Sequence, residues 1–278
     1  MDWPPLQEQL AGMIIPFWMM YYSAGYLLRN MYKTYIQERN FPTPSNFSQI
    51  KDTSFSEFWA WLTAPVASQE PPSGSALLIP GIIAQAKGVV LDIGPGSGAQ
   101  IEFFKNLPAI KKIYGAEPST GLHSALRERI AEAGLTDKYH VLPCPAEKKA
   151  ILLNLAKAGV NTQSEELFDT VICLRVLCSV PKQEAAAREL YSMLKPGGQL
   201  LIVEHVRNPW RNGGSLLARV AQIIYHFLGW PFFLGGCEMN RNTKATLEKI
   251  GDWESMDIKT SFGWSVLPWL NGRLVKKR

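Results

Sequence analysis

From about residue 81 onward the chain repeats one unit: a short run of β-branched and aliphatic residues, a turn, then a longer amphipathic stretch. Hydrophobic patterns of period two and period 3.6 taking turns in this way specify strands and helices in alternation. Few architectures accept that order, because parallel strands joined by right-handed crossovers form one sheet with helices on both faces. Strands are predicted at 88–93, 111–116, 139–144, 169–174 and 199–204, with a final pair near 255–261 and 271–276. Helices are predicted at 97–106, 119–134, 183–194 and 242–250, and insertions interrupt the rhythm at 148–166 and 206–240. No helix separates the last two strands, so the final one is expected to run antiparallel at or near the sheet edge. The fold class is α/β.

Residues 1–80 have another texture, rich in Trp, Tyr, Phe, Met, Pro and Ser. Segments 42–54 and 68–75, dense in Pro, Ser and Gly, read as loops or linkers, and 55–62 between them as a short helix with an aromatic face. Residues 9–28 carry no charge and are about long enough to span a bilayer as a helix. Pro16, two glycines, a serine, a glutamine and three tyrosines dilute that apolarity, and no basic start or cleavage site marks a secretory signal. Three readings stand for this segment: an aromatic lid over the mouth of the sheet, a membrane-surface helix, or a true anchor.

With 278 residues, 46% of them hydrophobic, the chain can bury one large core. The net charge of +5 is spread along the chain apart from a terminal "VKKR", which argues against a nucleic-acid partner. Cys144, Cys173, Cys178 and Cys237 form no CxxC pair. A zinc site or disulfide framework is therefore not expected, and a reducing, cytoplasmic setting fits.

The run "VVLDIGPGSG" at 89–98 ends a predicted strand in an acid, and three glycines then fall on alternate positions. Gly94, Gly96 and Gly98 let the backbone approach a ligand closely, and a helix starting behind them would offer free N–H groups. The dinucleotide fingerprint is GxGxxG, whereas this loop runs GxGxG. Glu117 follows at about the twenty-residue distance expected of a ribose-binding acid.

These features, with "IYGAEPS", "FDTVICLRVLCSV" and "LKPGGQLLIVEHV", resemble the class I S-adenosylmethionine-dependent methyltransferases over residues 80–278. Pro196, Gly197 and Gly198 make the turn into the fifth strand. "LRVLCSV", "EHV" and "GGCEMNR" are most similar to the small-thiol methyltransferases and their quinone-methyltransferase relatives. The resemblance implies a Rossmann-like seven-stranded methyltransferase sheet, mostly parallel with an antiparallel last strand. It also implies an N-terminal helical lid or membrane-associating segment over 1–79, and a cofactor domain over 80–278 with a lid insertion at 206–240.

By the same resemblance, S-adenosyl-L-methionine would lie on Asp92, Gly94, Gly96, Gly98 and Glu117, flanked by Pro118 and Ser119. Pro145 or Ala146 stands where relatives often carry an acid facing the adenine. Leu174 and Arg175 would lie beside the methionine part and the transferring methyl. Arg175 departs from the small or amide residue usual there. A fixed cation near a sulfonium needs a partner, either the cofactor's carboxylate or an anionic substrate, unless it reaches solvent.

Methyl transfer asks mainly for alignment and exclusion of water, and no metal is expected. His205, next to Glu204, is the first candidate for a general base and His226 the second. Cys178 and Cys237 read as packing residues. The aromatic content of 1–79 and 206–240 predicts an apolar small-molecule acceptor methylated at oxygen, sulfur or nitrogen, with a secondary metabolite as one option. The alternatives are a cyclase or pericyclase of natural-product biosynthesis on the same fold, a non-catalytic binding protein, and a dinucleotide oxidoreductase.

Overall fold

The computed structural model describes residues 3–64 and 74–278. Seven strands, β1 (Gly88–Ile93), β2 (Ile110–Ala116), β3 (Tyr139–Leu142), β4 (Phe168–Leu174), β5 (Leu194–His205), β6 (Trp253–Ser261) and β7 (Trp269–Lys276), form one sheet in the order β3-β2-β1-β4-β5-β7-β6. The β1 to β5 pairings are parallel, while β7 runs antiparallel to both β5 and β6. The expected antiparallel last strand is thus present, one place in from the edge. Strand order reverses between β1 and β4, and ligands of open α/β sheets bind in the crevice at such a switch point.

Nine α-helices accompany the strands among the described residues: α1 (Leu6–Met31), α2 (Pro44–Leu62), α3 (Ser75–Ile83), α4 (His123–Glu132), α5 (Lys148–Lys157), α6 (Gln183–Met193), α7 (Leu216–Phe227), α8 (Trp230–Phe233) and α9 (Thr243–Lys249). Successive strand residues point to opposite faces, so β4 sends Val171 and Cys173 toward α5, α6 and α9, and Ile172 and Leu174 toward α3 and α4. Burying each such aliphatic side chain contributes about 1.5–3 kcal/mol. A third cluster joins Phe58 of α2, Trp230, Leu234 and Met239 of the 206–240 insertion, and Val266. It sets the N-terminal helices over the C-terminal ends of the strands.

Three expectations are corrected. The predicted helix 97–106 is a single tight turn, Ile101–Phe104. Gly98 at φ +84° on one side and Pro108 on the other leave too few residues for a helix, and the residue before a proline disfavours helical backbone. The predicted loop 42–54 is mostly helical, because Thr43 Oγ1 accepts the Asn46 N–H at 3.1 Å and Pro44 occupies the first turn, together a strong helix start. The insertion 148–166 contains α5. Of the predicted loop 68–75, residues 68–73 lie outside the described residues.

Candidate active site

The loop after β1 takes its shape from three glycines, all with left-handed backbone. At Gly94 a Cβ would sit 2.7 Å from Val176 Cγ2, so a side chain there would push into the loop after β4. The Gly96 N–H donates to Glu117 Oε2 at 2.9 Å, and the Ser119 N–H donates to Glu117 Oε1 at 2.8 Å. Glu117 thereby ties the ends of β1 and β2 together. Its pKa is raised, chiefly by burial, against the two backbone hydrogen bonds and nearby His123.

Asp92 is fully buried behind this loop. Its Oδ2 accepts the Tyr139 hydroxyl at 2.8 Å, while Oδ1 has no partner among the described residues. Burial pushes the carboxyl up to about 7; the Tyr139 hydrogen bond opposes the rise and Glu117 adds to it. Arg129 closes the far side by donating to the Ser97 carbonyl and hydroxyl, each at 3.0 Å.

In front of the loop lies a cavity of about 740 Å³, inside the roughly 300–1,000 Å³ usual for ligand clefts. Gly94, Gly96, Glu117, Pro118 and Ala146 line one end of it. Arg175, Val176, Cys178, His205 and Cys237 line its floor, and Met19, Phe55, Trp59, Trp230, Leu234 and Trp269 supply an apolar wall. Asp92, Gly98 and Leu174 are not among the lining residues. Asp92 and Leu174 are buried in the core, and Gly98 faces Ile101 and Leu126.

The β4 exit is the strained part of the site. Arg175 holds φ +65°, a conformation costly for a residue with a side chain. Its neighbours are nailed down, since Glu204 accepts the Val176 and Cys178 N–H groups at 3.0 and 3.2 Å. Burial pushes the Glu204 carboxyl well above the usual carboxylate range. Adjacent strand residues diverge, so Glu204 serves this loop while His205, its neighbour in sequence, meets a different group. His205 Nδ1 lies 3.3 Å from Cys237 Sγ, and Nε2 has no partner among the described residues. Burial lowers the His205 pKa below its ordinary value.

His226 is not brought to the cavity; on α7 its Nδ1 lies 3.6 Å from a Glu238 carboxylate oxygen. All four cysteines are buried thiols. A hydrogen bond with Cys237, then burial, holds the Cys178 thiol well above its ordinary range, which suits the packing role expected from sequence. No group of three or more metal-ligating side chains occurs among the described residues.

Sequence reasoning missed Met19, Trp269 and His123. Trp269 reaches the site because β7 pairs His205 with it in register. A strand partner of a candidate base is a place to look once an antiparallel last strand is expected. His123 is buried at the start of α4 with Nε2 2.8 Å from the Glu117 carbonyl, supporting the acid from behind.

Residues 74–251 match a family described as "Methyltransferase domain". The chain is 27% identical over 194 residues to thiol S-methyltransferase TMT1B of Rattus norvegicus, covering 67% of this chain and 70% of that one. It is 24% identical over 190 residues to thiol S-methyltransferase TMT1A of Homo sapiens, with the same coverage. Among solved structures, the [4+2]-cyclase SpnF superposes with a TM-score of 0.56 at 16% identity, over 85% of this chain and 97% of that one. That likeness is one of fold. The chain belongs to the methyltransferase-domain family, as a class I member similar to the thiol methyltransferases, with S-adenosyl-L-methionine as its cofactor.

Proposed function

We propose that this protein transfers a methyl group from S-adenosyl-L-methionine to sulfur, oxygen or nitrogen of an apolar small molecule, a thiol foremost. One observation carries the reading: a single cavity runs from the glycine loop and Glu117 to His205 and the aromatic wall, with room for donor and acceptor side by side. The residues present fit the cofactor. Gly94 and Gly96 form a cradle that side chains would fill, Glu117 faces the cavity with lone pairs left for ribose hydroxyls, and Asp92 Oδ1 is an unpaired buried acceptor behind them. Pro118 and Ala146 line the adenine end. When bound, the cofactor supplies an electrophilic methyl on a cationic sulfur.

The chain's own part is placement and proton removal. Trp59, Trp230 and Trp269 exclude water and orient an apolar acceptor, which supplies most of what an in-line displacement needs. His205 is neutral near pH 7 because burial lowers its pKa. With Nδ1 3.3 Å from Cys237 Sγ, Nε2 is the nitrogen left to take the proton of a thiol or hydroxyl, and because it is sealed in the fold the imidazole would have to turn toward the cavity to do so. Helices α1 and α2 and residues 206–240 act as the lid over this space.

The lid also presents a membrane-facing platform. On α7 the polar residues point inward: Gln222 is buried with four hydrogen bonds, and Arg219 binds Asn240. Its exposed residues are Leu216, Leu217, Val220, Ile224 and Phe227. Helix α1 is inverted likewise, burying Gly12, Pro16, Ser23 and Asn30 while exposing Ile14, Ile15, Phe17 and Trp18. The two helices touch where the Tyr225 hydroxyl donates to the Met13 carbonyl. Arg211 stacks on exposed Trp210 just before α7, and exposed Lys33 follows α1, basic groups suited to an anionic bilayer surface, whereas Arg29 is paired with Glu57. No described helix is long and apolar enough to cross a membrane.

Calorimetric titration with S-adenosylmethionine and S-adenosylhomocysteine, followed by incubation with thiol, phenol and amine acceptors and mass analysis, tests the activity. Binding with a methylated product is expected. Binding with no methylated product would move the chain to cyclisation chemistry, and no binding would end both readings. Flotation with phosphatidylserine-containing vesicles tests the platform: the native chain should float and an Ile224→Glu, Phe227→Glu variant should not. Equal flotation of the two would refute it.

A further inference from the structure

The least explained group in the cavity is the Arg175 guanidinium. None of its N–H donors has a protein partner among the described residues, and Nε is sealed from solvent. Glu204, the nearest acid behind it, commits an oxygen to each of the Val176 and Cys178 N–H groups and makes no ion pair with Arg175. Trp59 covers one face of the guanidinium at 5.3 Å. With that face covered and Nε sealed, the two Nη groups are the donors left for a ligand in the cavity. A guanidinium taken out of water with no hydrogen-bonded or ion-paired partner, and only the longer-range field of Glu204 to balance it, is unfavourable, and the left-handed Arg175 backbone adds strain to the same residue. A planar, bidentate anion would offset both costs.

We propose that Arg175 is the receptor for a ligand carboxylate in this cavity, supplied either by the methionine end of the cofactor or by an acidic group on the acceptor. The acceptor arm rests on the methyltransferase reading; the cofactor arm needs only that the chain bind the nucleoside. Trp59 also lies over the glycine loop, its Nε1 3.6 Å from where a Gly96 Cβ would be, so the fork borders both halves of the space. Trp59 is a positioning residue for Arg175.

The test compares two ratios in the wild type and in Arg175→Gln. The first is the affinity for S-adenosylhomocysteine over 5′-methylthioadenosine, which lacks the amino-acid end. The second, measured by calorimetry with S-adenosylhomocysteine bound, is the affinity for 4-mercaptobenzoate over thiophenol. A cofactor carboxylate at Arg175 predicts that R175Q lowers the first ratio about ten- to hundred-fold and leaves the second. An acceptor carboxylate predicts a comparable fall in the second ratio only. Arg175→Lys, which keeps the charge without the fork, should restore part of whichever ratio falls, and it carries the same test if R175Q does not fold. Both ratios unchanged in the variants overturns the proposal. A wild type that binds S-adenosylhomocysteine but methylates nothing would fail the activity reading while leaving these ratios measurable.

Discussion

Replacing Asp92 by asparagine turns the buried carboxyl into a direct measurement of what the glycine loop costs the fold. Asp92 titrates near 7 in the folded chain against 3.8 as its ordinary value, with burial as the main cause. The sign follows from linkage: between the two values the folded state holds a proton that the unfolded state has lost, so stability falls as pH rises. At about 1.36 kcal/mol per pH unit the full loss is about 4 kcal/mol, with about 2.3 kcal/mol of it between pH 5 and 7, where the folded carboxyl is itself half ionised at the upper end. The substituting carboxamide cannot ionise and still accepts the Tyr139 hydroxyl through its carbonyl oxygen. Urea unfolding followed by tryptophan fluorescence at pH 5, 6, 7 and 8 reads the difference. D92N should gain on the wild type by roughly 1.3 kcal/mol from pH 5 to 6 and about 1 kcal/mol from 6 to 7, the gain levelling off above 7. A difference that stays constant across the range would refute the argument that Asp92 pays desolvation on ionising.

Two further substitutions probe the other halves of the site. His205 titrates below its ordinary value, so the acid limb of kcat/KM should lie below pH 6.5; His205→Gln should abolish that limb and lower kcat by about 10²–10⁴-fold, and a limb that survives in H205Q would assign the base elsewhere. Gln222→Leu keeps the volume but strands the Asn208 N–H and the Val206 and Val266 carbonyls, each worth about 1–3 kcal/mol when left unpaired in the interior. A loss of at least about 3 kcal/mol in urea unfolding is expected, and a change under about 1 kcal/mol would mean that α7 is not held by its polar face.

Much of the sheet was legible because its signal is local. β1 and β4 are buried on both faces and therefore read as continuous apolar runs ended by special backbone, and the structure follows them within about a residue. Expectations failed where a turn competed with a helix. Residues 97–106 carry helix-compatible side chains, but the glycine loop and Pro108 decide their backbone. Residues 42–54 look like a linker by composition, yet Ser54 and Ser56 return their hydroxyls to the Ile50 and Asp52 carbonyls and become the inward face of α2. Composition counts serines; only tertiary packing says which way they face.

The candidate site divides along the same line. Glu117 and the glycines were legible because a ligand-cradling loop needs fixed spacing along one segment. The acceptor wall was legible in part, since the aromatic segments 1–79 and 206–240 pointed to Trp59 and Trp230, but Met19 and Trp269 come from separate stretches and are brought to it by the lid cluster and by the pairing of β7 with β5. In sequence, α1 and α7 carry apolar residues at helical spacing, which ordinarily marks a core face. The structure reverses this: Gln222 and Asn30 are inside, and Ile224 and Phe17 are outside. Met19 lies on α1, on the cavity side of that outward face, and Trp230 follows α7 at the same wall. No residue of α7 lines the cavity and Trp230 belongs to α8, so the surface that would rest on a bilayer and the wall that would hold the acceptor share α1 alone, through Met19.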